Sequence, residues 1–551
     1  MSDRTVTPKT SAGARRMRAW PGSTSGIQEY TGAWGTTQVV HLLKRTLFGA
    51  APADVNYFAA MTMSDAVDAL LTPTPAPTTQ PLNNYGADAT GVGAYQTWIG
   101  TGLLYQDQNL NASRVASMQC WWIGQMLNQT RSIHEKMTLF WHNHFAVDAT
   151  QHFADTPAQL WYNQYLTLRA NALGNFQVLL KAITLDPAML IFLNGNTSTV
   201  TAPNENYGRE LQELYTEGKG VDSLYTQTDV HNAARVLTGH TIDSNFNYAY
   251  LAGNHDDQDK QFSAYYTNTV ITGYSGAAGA GEVDNLLTML LGTQECAKFI
   301  CRELYNFFIY YVDDATVETD IITPLAEVFR NSGYNITTVL STLFKSQHFY
   351  DMTYAGACLI KSPLDFLIGG CREYGVALPS PSDAAGSYNV WNMLLQQSIT
   401  LQQEVLAIPV VAGWYPYYES PSYHELWINS VTFPARTYYT DLLIGVGDMM
   451  NGTTLTINPV TFAQSLPNPG DPVQLVSDSL NILISPPIPV SSQTLIMQTI
   501  LLSGLTNNAY WTQAWQAYLA APSNMTAYST VFNRLQAFYK YLMDLPEYQL
   551  S

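Results

Sequence analysis

The chain has 551 residues, of which 46% are hydrophobic, so it is long enough to bury one large core or several ordinary ones. Only 12% of the residues are charged, about half of the roughly 25% usual for soluble domains, so the surface must be polar largely without being charged. The 43 acidic against 25 basic residues give a net charge of -18, which repels phosphate backbones and excludes nucleic-acid binding as the main role.

Residues 1–30 form a basic, polar arm that the sequence predicts to be flexible. The arm lacks the apolar segment of a signal peptide, and no run of about 18 apolar residues predicts a transmembrane helix. The uncharged, hydroxyl-rich composition nevertheless favours an extracytoplasmic or secreted protein. The basic residues of the arm are Arg4, Lys9, Arg15, Arg16 and Arg18.

The cysteines number five and include no CxxC pair, which predicts buried thiols rather than a disulfide framework. A single bridge between Cys358 and Cys371 is the alternative. The other three are Cys120, Cys296 and Cys301.

Helical periodicity dominates the chain and predicts a mainly α fold, a large multi-helix domain with long ordered loops. A helical hairpin with a restart at Pro52 is predicted over 31–71, followed by a Pro/Thr-rich linker and loop over 72–113. Residues 114–376 are predicted to be the helical core that carries the site. Residues 377–551 are predicted to be a loop-rich helical region packed on that core.

A small β element is predicted inside the helical core, near 245–273. The stretches FNYAYLA and YYTNTVITG are rich in Tyr and β-branched residues, and they flank the polar loop GNHDDQDKQ. This pattern predicts a β-hairpin or an extended flap.

Two histidines, His142 and His144, lie one residue apart in the apolar run EKMTLFWHNHF. Side chains two positions apart on a helix point about 200° away from each other. Both could therefore bind one metal ion only if the helix ends near Asn143, or if the segment is extended. Two interpretations stay open: satisfied core histidines, or metal ligands.

The stretch NENYGRELQELYTEGKG predicts a helix that is capped by Asn204 and stopped at Gly218. The polar side chains along one flank of this helix are Asn206, Glu210, Glu213 and Glu217. Carboxylates spaced three and four apart repel each other unless a cation, a proton or an arginine compensates. Glu210 lies closest to the apolar stripe, where desolvation raises a carboxyl pKa, and is the better candidate for a ligand or general base. A solvated acidic face, with Glu205 and Arg209 as an ordinary helix pair, is the alternative.

The next stretch, YTQTDVHNAARVLTGH, predicts a helix that starts at Thr228 or Asp229 and stops at Gly239. His231 and Arg235 lie one turn apart on its polar side. Both are candidate site residues.

The loop HDDQDK then presents His255, Asp256 and Lys260. A loop with a histidine and several aspartates can bind a cation, but this one lacks the glycine and the terminal glutamate of an EF-hand loop. Turn formation accounts for the aspartates equally well.

The order of these motifs resembles that of a large bacterial family, the domain of unknown function numbered eighteen hundred. The resemblance covers residues 36–445. The segments that carry it are HLLKRTLFGAAPADV, EKMTLFWHNHF, NENYGRELQELYTEG, YTQTDVHNAARVLTG, a His-Asp loop, AKFICRELYNFFI and KSPLDFLI. The resemblance implies an exported bacterial protein with a sulfatase-like partner protein.

Two positions depart from the pattern of that family. His240 stands where the family usually has a tryptophan, which adds a histidine near the predicted site. Gln258 replaces the usual glycine of the His-Asp loop, which alters the loop backbone.

The resemblance implies that polar side chains from four segments meet in one cleft, and such groups are costly to bury unless they bind something. We therefore expect a metal-assisted hydrolase or related enzyme that acts on a glycan or other polymer and holds a divalent metal ion. The expected metal ligands are His142, His144, Glu210 and Asp256. Glu205 or Glu213 would be the general base, and Arg209 and Lys260 would hold an anionic substrate group. The further site candidates are Asn204, Asn206, His231, Arg235, His240 and His255.

The alternative is a non-catalytic extracellular binding or structural protein with an aromatic-rich surface. The run GWYPYYESPSYHELW supplies rings that could stack on sugars or on a partner chain, although core packing is the commoner use of such residues. These rings belong to Trp414, Tyr415, Tyr417, Tyr418, Tyr423 and Trp427.

Overall fold

The computed structural model describes residues 25–551 except 104–105, 312–314 and 353–358. The fold is mainly helical, at 57%, with three small two-stranded antiparallel sheets. The predicted fold class is therefore confirmed. None of the helices in the described ranges has both the length and the apolar character needed to cross a membrane.

The N-terminal part consists of three short helices and an extended stretch. The helices are α1 (Thr36–Thr46), α2 (Pro52–Ala59) and α3 (Met63–Leu70). The predicted restart at Pro52 is confirmed, because proline at the first helical position gives up no intrahelical hydrogen bond.

Part of the arm predicted to be flexible over 1–30 is held against the folded chain. In 25–30 the backbone amide of Tyr30 donates to the carbonyl of Lys345 (2.8 Å). The basic residues of the arm lie outside the described residues, as does Cys358. Cys371 is buried as a free thiol.

The central part contains most of the helices that surround the predicted site. They are α4 (Gln108–Leu127), α5 (His134–His144), α6 (Ala158–Asn171), α7 (Phe176–Thr184), α8 (Pro187–Phe192), α9 (Glu205–Glu213), α10 (Gln227–Val236), α11 (Glu282–Leu291), α12 (Gln294–Phe308), α13 (Ala315–Val317), α14 (Thr323–Asn331), α15 (Ile336–Phe344) and α16 (Pro363–Glu373). A π-helical turn, Glu318–Ile322, joins α13 to α14. Every residue of α5 is buried, so protein surrounds this helix on all sides.

The C-terminal part packs on the other two parts, since its helix Ala384–Thr400 contacts α4 and its helix Pro472–Leu483 contacts α1. Its helices are α17 (Ala384–Thr400), α18 (Tyr415–Tyr418), α19 (Thr432–Gly445), α20 (Pro459–Gln464), α21 (Pro472–Leu483), α22 (Val490–Ile496), α23 (Ala509–Ala520) and α24 (Met525–Asp544). One continuous hydrophobic core runs through all three parts, from Val39 to Tyr548.

The strands form three separate hairpins. They are β1 (His240–Ile242) with β2 (Tyr248–Tyr250), β3 (Lys260–Gln261) with β4 (Val270–Ile271), and β5 (Asp448–Met450) with β6 (Thr453–Leu455). The predicted β element is present, but its two Tyr-rich stretches belong to different hairpins instead of pairing with each other. The Asp243 carboxylate closes the first turn by accepting the amides of Asn245 and Asn247 (2.8 and 2.9 Å), and such local turn chemistry decides the pairing.

Helix α10 begins at Gln227, before the predicted start at Thr228 or Asp229. The Thr226 hydroxyl accepts the amide of Asp229 (3.3 Å), and the Asp229 carboxylate accepts the amide of Thr226 (2.7 Å). This reciprocal capping box moves the helix start towards the N-terminus.

Candidate functional site

His142 lies in the buried helix α5, and its ring is engaged by the surrounding protein. Its Nε2 accepts a hydrogen bond from the backbone amide of Leu406 (3.0 Å). The ring packs edge-on against Trp122, with centroids 4.9 Å apart, and lies 5.9 Å from the ring of Trp414. Burial lowers the pKa of His142 to about 3, so the imidazole is neutral and able to accept this bond near pH 7.

His144 is engaged on a different part of the structure. Its Nε2 donates to the carbonyl of Tyr215 (3.2 Å), just beyond α9. Burial lowers the pKa of His144 to about 4, although the Tyr215 carbonyl opposes this shift. The two histidines of the WHNHF motif therefore tie α5 to two separate segments, one near Leu406 and one near Tyr215.

The candidate residues on α9 and α10 form an exposed network of ion pairs and hydrogen bonds. The Glu205 carboxylate lies 3.0 Å from His231 Nδ1 and accepts a hydrogen bond from the side-chain amide of Gln227 (2.6 Å). Arg209 donates to Gln227 (2.8 Å) and lies 3.7 Å from Glu205. The side chains of Glu205, Arg209 and His231 are 38%, 37% and 49% exposed, so water screens their charges.

The two asparagines of the NENYGREL motif hold the start of α9. Asn204 is the helix cap, as predicted: its side chain accepts the amide of Asn206 (2.9 Å) and donates to the carbonyl of Asn194 (2.7 Å). Asn206 donates to the carbonyl of Leu193 (3.4 Å). Both side chains are thus used to attach α9 to the loop after α8.

Glu210 is half-buried beside the apolar stripe of α9. Burial raises its pKa, the carboxylate of Glu213 raises it further, and Lys219 and Arg209 oppose the shift. The predicted direction of this pKa shift is confirmed. Glu213 forms an ion pair with Lys219.

The HDDQDK loop forms a buried ion cluster with Glu282 at the start of α11. Lys260 Nζ donates to Glu282 Oε2 (2.5 Å) and to the carbonyl of Asp256. His255 Nε2 lies 3.0 Å from Glu282 Oε1, and the Tyr274 amide donates to the same oxygen (2.7 Å). Burial opposes ionisation, but the bonds from His255 and Lys260 hold the pKa of Glu282 below its usual value.

His255 bridges Thr238, just beyond α10, and Glu282. Its Nδ1 donates to the carbonyl of Thr238 (2.8 Å). Its Nε2 lies 3.0 Å from Glu282 Oε1. The ring therefore joins the two segments inside the cluster.

Asp256 and His240 lie at the edge of the same cluster. Arg235 donates two parallel hydrogen bonds to the Asp256 carboxylate, of 2.7 and 3.1 Å. Partial burial opposes ionisation, but Arg235 lowers the pKa of Asp256 overall. His240 Nδ1 lies 2.9 Å from the Tyr248 hydroxyl, and burial lowers the pKa of His240 to about 4.

The structure thus distributes the predicted site residues over three places: buried α5, the exposed surface of α9 and α10, and the cluster around Glu282. Among the described residues, no group of three His, Cys, Asp or Glu side chains is arranged to hold a metal ion. The expectation that His142, His144, Glu210 and Asp256 share one ion receives no support from these positions. The metal ion stays a prediction.

The loop that His142 holds forms one wall of an open cleft of about 750 Å³, which we call the aromatic cleft. Its lining residues are Ile399, Gln402, Glu404, Ala407, Pro409, Trp414, Tyr415, Pro416, Glu419, Leu426, Trp427 and Asn429. The indole rings of Trp414 and Trp427 are buried in the walls, whereas Tyr415 is 45% exposed.

Helices α4 and α5 position the walls of the aromatic cleft. Asn143 Oδ1 accepts the backbone amide of Trp414 (2.9 Å), and Gln119 donates to the carboxylate of Glu404 (2.8 Å). Gly413 has φ +105°, and a Cβ at this position would lie 2.6 Å from Asn143 Oδ1. Only glycine fits here without strain, so the WHNHF motif and Gly413 together set the position of Trp414.

The other rings of the predicted aromatic run point elsewhere. Tyr417 packs on Phe307, with centroids 5.0 Å apart, and Tyr423 stacks on Tyr311 at 4.8 Å. Tyr418 lies against the ring of Tyr415 at 5.9 Å. Three of the six rings therefore line the aromatic cleft, and the other three pack against neighbouring rings.

Sequence reasoning missed three glutamates: Glu282, Glu404 and Glu419. Glu282 lies 22 residues after Lys260, and no periodic pattern connects the two. Glu404 and Glu419 lie in loops without a motif, and the only available signal was the position of Glu419 within the aromatic run.

These features define a class of mainly helical protein with one large core, a buried ion cluster and an aromatic cleft. The chain belongs to the family described as Protein of unknown function (DUF1800), whose model matches residues 41–550. The resemblance predicted from the order of motifs is therefore confirmed. No curated protein and no solved structure matches the chain.

Proposed function

We propose that the protein binds a glycan or a similar hydroxyl-rich polymer in the aromatic cleft. The observation that carries this proposal is the exposed ring of Tyr415 in a cleft that also presents the carboxylates of Glu404 and Glu419. An aromatic face packs against the apolar face of a sugar ring, and carboxylates accept hydrogen bonds from its hydroxyl groups.

The size and the support of the aromatic cleft agree with this role. Ligand sites commonly measure about 300–1,000 Å³, and they combine apolar walls with a few polar groups. The aromatic cleft, at about 750 Å³, lies in this range and is open enough for a chain segment to enter. The bonds from His142 and Asn143 hold its wall from behind, so the cleft is formed before a ligand arrives.

Hydrolysis of the bound polymer, the activity expected from the sequence, is the second candidate function. Burial raises the pKa of Glu404, although the bond from Gln119 opposes the shift. A carboxyl group with a raised pKa in a sugar-binding cleft is suited to protonate a leaving oxygen. Glu404 is the group that favours this second candidate.

The binding proposal is tested by sedimentation with insoluble cellulose, chitin and xylan. Tyr415→Ala is expected to weaken retention about fivefold, because a lost stacking contact is worth about 1 kcal/mol. Tyr438→Ala is the matched control, because Tyr438 is 68% exposed on α19 and lies outside the cleft. Equal retention of wild type and both variants, or no retention on any polymer, would remove the proposal.

The hydrolysis proposal is tested on any polymer that is retained. Release of soluble reducing ends by the wild type, and its loss in Glu404→Gln with retention intact, would support it. If the protein is retained on the polymer but releases no reducing ends, binding is the only function that the result supports. A parallel assay in the presence of EDTA tests the metal-assisted form of the reaction.

Two further proposals rest on the family resemblance alone. We propose an extracytoplasmic or secreted location and a sulfatase-like partner protein. Cell fractionation with an antibody to the chain tests the first, and co-purification of the partner from the same fraction tests the second.

A further inference from the structure

A second and smaller pocket shares Trp427 with the aromatic cleft. We call it the cationic pocket, because Lys44, Arg45, Lys136 and His424 line it. Its volume is about 20 Å³, and a cavity of this size holds about one water-sized atom.

His424 presents a buried hydrogen-bond donor without an acceptor. Its Nδ1 accepts the backbone amide of Ile360 (3.3 Å), so the ring proton of the neutral imidazole resides on Nε2. Burial, together with the nearby charge of Arg45, lowers the pKa of His424 to about 4, so the ring is neutral near pH 7. Among the described residues His424 Nε2 has no hydrogen-bond partner, although the residue is only 8% exposed. A buried donor of this kind costs about 1–3 kcal/mol unless something accepts from it.

Lys44 of the cationic pocket is buried with little anionic compensation, whereas Lys136 has an ion-pair partner. Lys44 donates to the carbonyl of Leu483 (2.9 Å), and its nearest carboxylate, Glu373, is 3.8 Å away. Burial lowers the pKa of Lys44 to about 7, and Glu373 only partly opposes the shift. Lys136 is paired with Asp365, and burial lowers the pKa of Lys136 as well.

Two more buried cations, Lys361 and Arg436, interact with the carboxylates near these lysines. Lys361 Nζ lies 4.1 Å from the ring centroid of Tyr548, and Arg436 donates to the carbonyl of Lys361 (2.9 Å). Burial lowers the pKa of Arg436 to about 9, although Asp365 opposes the shift. Among the described residues, these two cations and the lysines Lys44 and Lys136 interact with the same two carboxylates, Asp365 and Glu373.

We propose that the cationic pocket binds a small anionic group, a carboxylate or an oxyanion, through one of its oxygens. Such an oxygen would accept from His424 Nε2 and lie near the buried Lys44, whose nearest carboxylate is 3.8 Å away. Asp365 and Ser551 also line the pocket, and the Asp365 carboxylate is held by Lys136 and by the Ser362 hydroxyl (2.9 Å). The proposal does not depend on polymer binding in the aromatic cleft.

Four residues of the cationic pocket come from three separate segments of the sequence. Lys44 and Arg45 belong to HLLKRTLFG, Lys136 to EKMTLFWHNHF, and Asp365 to KSPLDFLI. These segments carry the family resemblance and meet only in the folded chain. Their convergence gives one physical role to three otherwise unconnected motifs.

The proposal is tested by thermal unfolding in rising concentrations of sodium acetate, sodium sulfate and sodium chloride at matched ionic strength. Acetate or sulfate is expected to raise the Tm along a saturable curve in the wild type, whereas chloride, which is neither a carboxylate nor an oxyanion, is the control. Acetate and sulfate distinguish a carboxylate site from a tetrahedral oxyanion site. A Tm that follows ionic strength alone for all three salts would overturn the proposal.

Two variants locate the effect. His424→Asn keeps an acceptor for the Ile360 amide but removes the Nε2 donor, and Lys136→Met keeps the apolar stem but removes the charge. Each is expected to raise the apparent dissociation constant about tenfold. Lys181→Met is the matched control, because it removes an exposed lysine paired with Asp284. The same anion dependence in all of these proteins would place binding outside the pocket.

A crystallographic measurement on the wild type does not depend on the folding of any variant. Crystals soaked in sodium selenate are expected to show an anomalous scattering peak at the cationic pocket, close to His424 Nε2. If peaks occur only at other positions and none occurs in the cationic pocket, the proposed site is refuted. Neither outcome bears on retention by polysaccharides, so the two proposals fail separately.

Discussion

His142 accepts the backbone amide of Leu406 at 3.0 Å, in a buried position where no water can replace either partner. Leu406 has φ +62°, a conformation that is costly for a residue other than glycine. The bond therefore holds a strained loop in place, and that loop forms a wall of the aromatic cleft.

Replacing His142 with alanine is expected to lower the free energy of unfolding by about 3–5 kcal/mol. The variant would leave the Leu406 amide without an acceptor and a cavity between Trp122 and Trp414. His142→Gln should cost clearly less, because the amide oxygen of glutamine can take the place of Nε2. Urea unfolding followed by tryptophan fluorescence measures both, and equal losses would contradict the role assigned to this bond.

The metal ion predicted from the sequence is checked by elemental analysis of protein prepared without chelator. Metal held by the WHNHF motif would give about one transition-metal ion per chain in the wild type. It would be absent from a folded His142→Ala/His144→Ala variant. If the wild type contains no metal, the role of the two histidines is structural, through their hydrogen bonds to Leu406 and Tyr215.

Gly413→Ala is expected to lower the free energy of unfolding by about 1–3 kcal/mol, because φ +105° and the contact with Asn143 Oδ1 both exclude a Cβ. The same change should weaken polysaccharide retention by displacing Trp414. Gly445→Ala, at the end of α19, is the control, because a Cβ there meets no atom within 4 Å. Thermal unfolding of both variants is the measurement, and equal stability would show that Gly413 is not required.

Glu282→Gln is expected to lower the free energy of unfolding by about 3–5 kcal/mol, because it leaves the ammonium group of Lys260 buried without an anion. Asp284→Asn is the matched control on the same helix. It removes one partner of an exposed ion pair with Lys181 and should cost less than about 1 kcal/mol. Chemical denaturation at pH 7 compares the two, and similar losses would rule out a stabilising role for the cluster.

Glu217 is expected to make stability fall as the pH rises towards neutrality. It is buried and accepts hydrogen bonds from Tyr265 (2.7 Å) and Thr293 (3.0 Å), and burial raises its pKa from 4.5 to about 7. The folded protein therefore binds more protons than the unfolded chain between these two values. The contribution is fully present below pH 4.5 and is lost as the pH rises through about 7.

The measurement is the difference in unfolding free energy between wild type and Glu217→Gln from pH 4.5 to 8. The variant cannot titrate, so the stability of the wild type relative to Glu217→Gln should decline by about 3 kcal/mol across this range. A difference that does not change with pH would show that Glu217 is ionised throughout.

Local chemistry made several elements predictable. Asn204 was recognised as a cap and Pro52 as a helix start because these preferences depend on hydrogen bonds and dihedral angles within a few residues. The pKa direction of Glu210 followed from its place beside an apolar stripe. The pairing of β1 with β2 was not predictable from periodicity, because each of these strands has only three residues.

The sequence by itself determined the mainly helical class, the family and the caps, since these depend on residues close in the chain. Only the tertiary structure decided that His142 faces Leu406, which lies 264 residues later, and that His424 and Lys136 share a pocket. Helix α5 is buried on every side, so its apolar pattern contains no information on which neighbour each side chain meets. Those partners are set by the packing of distant helices and loops around α5, which only the folded chain contains.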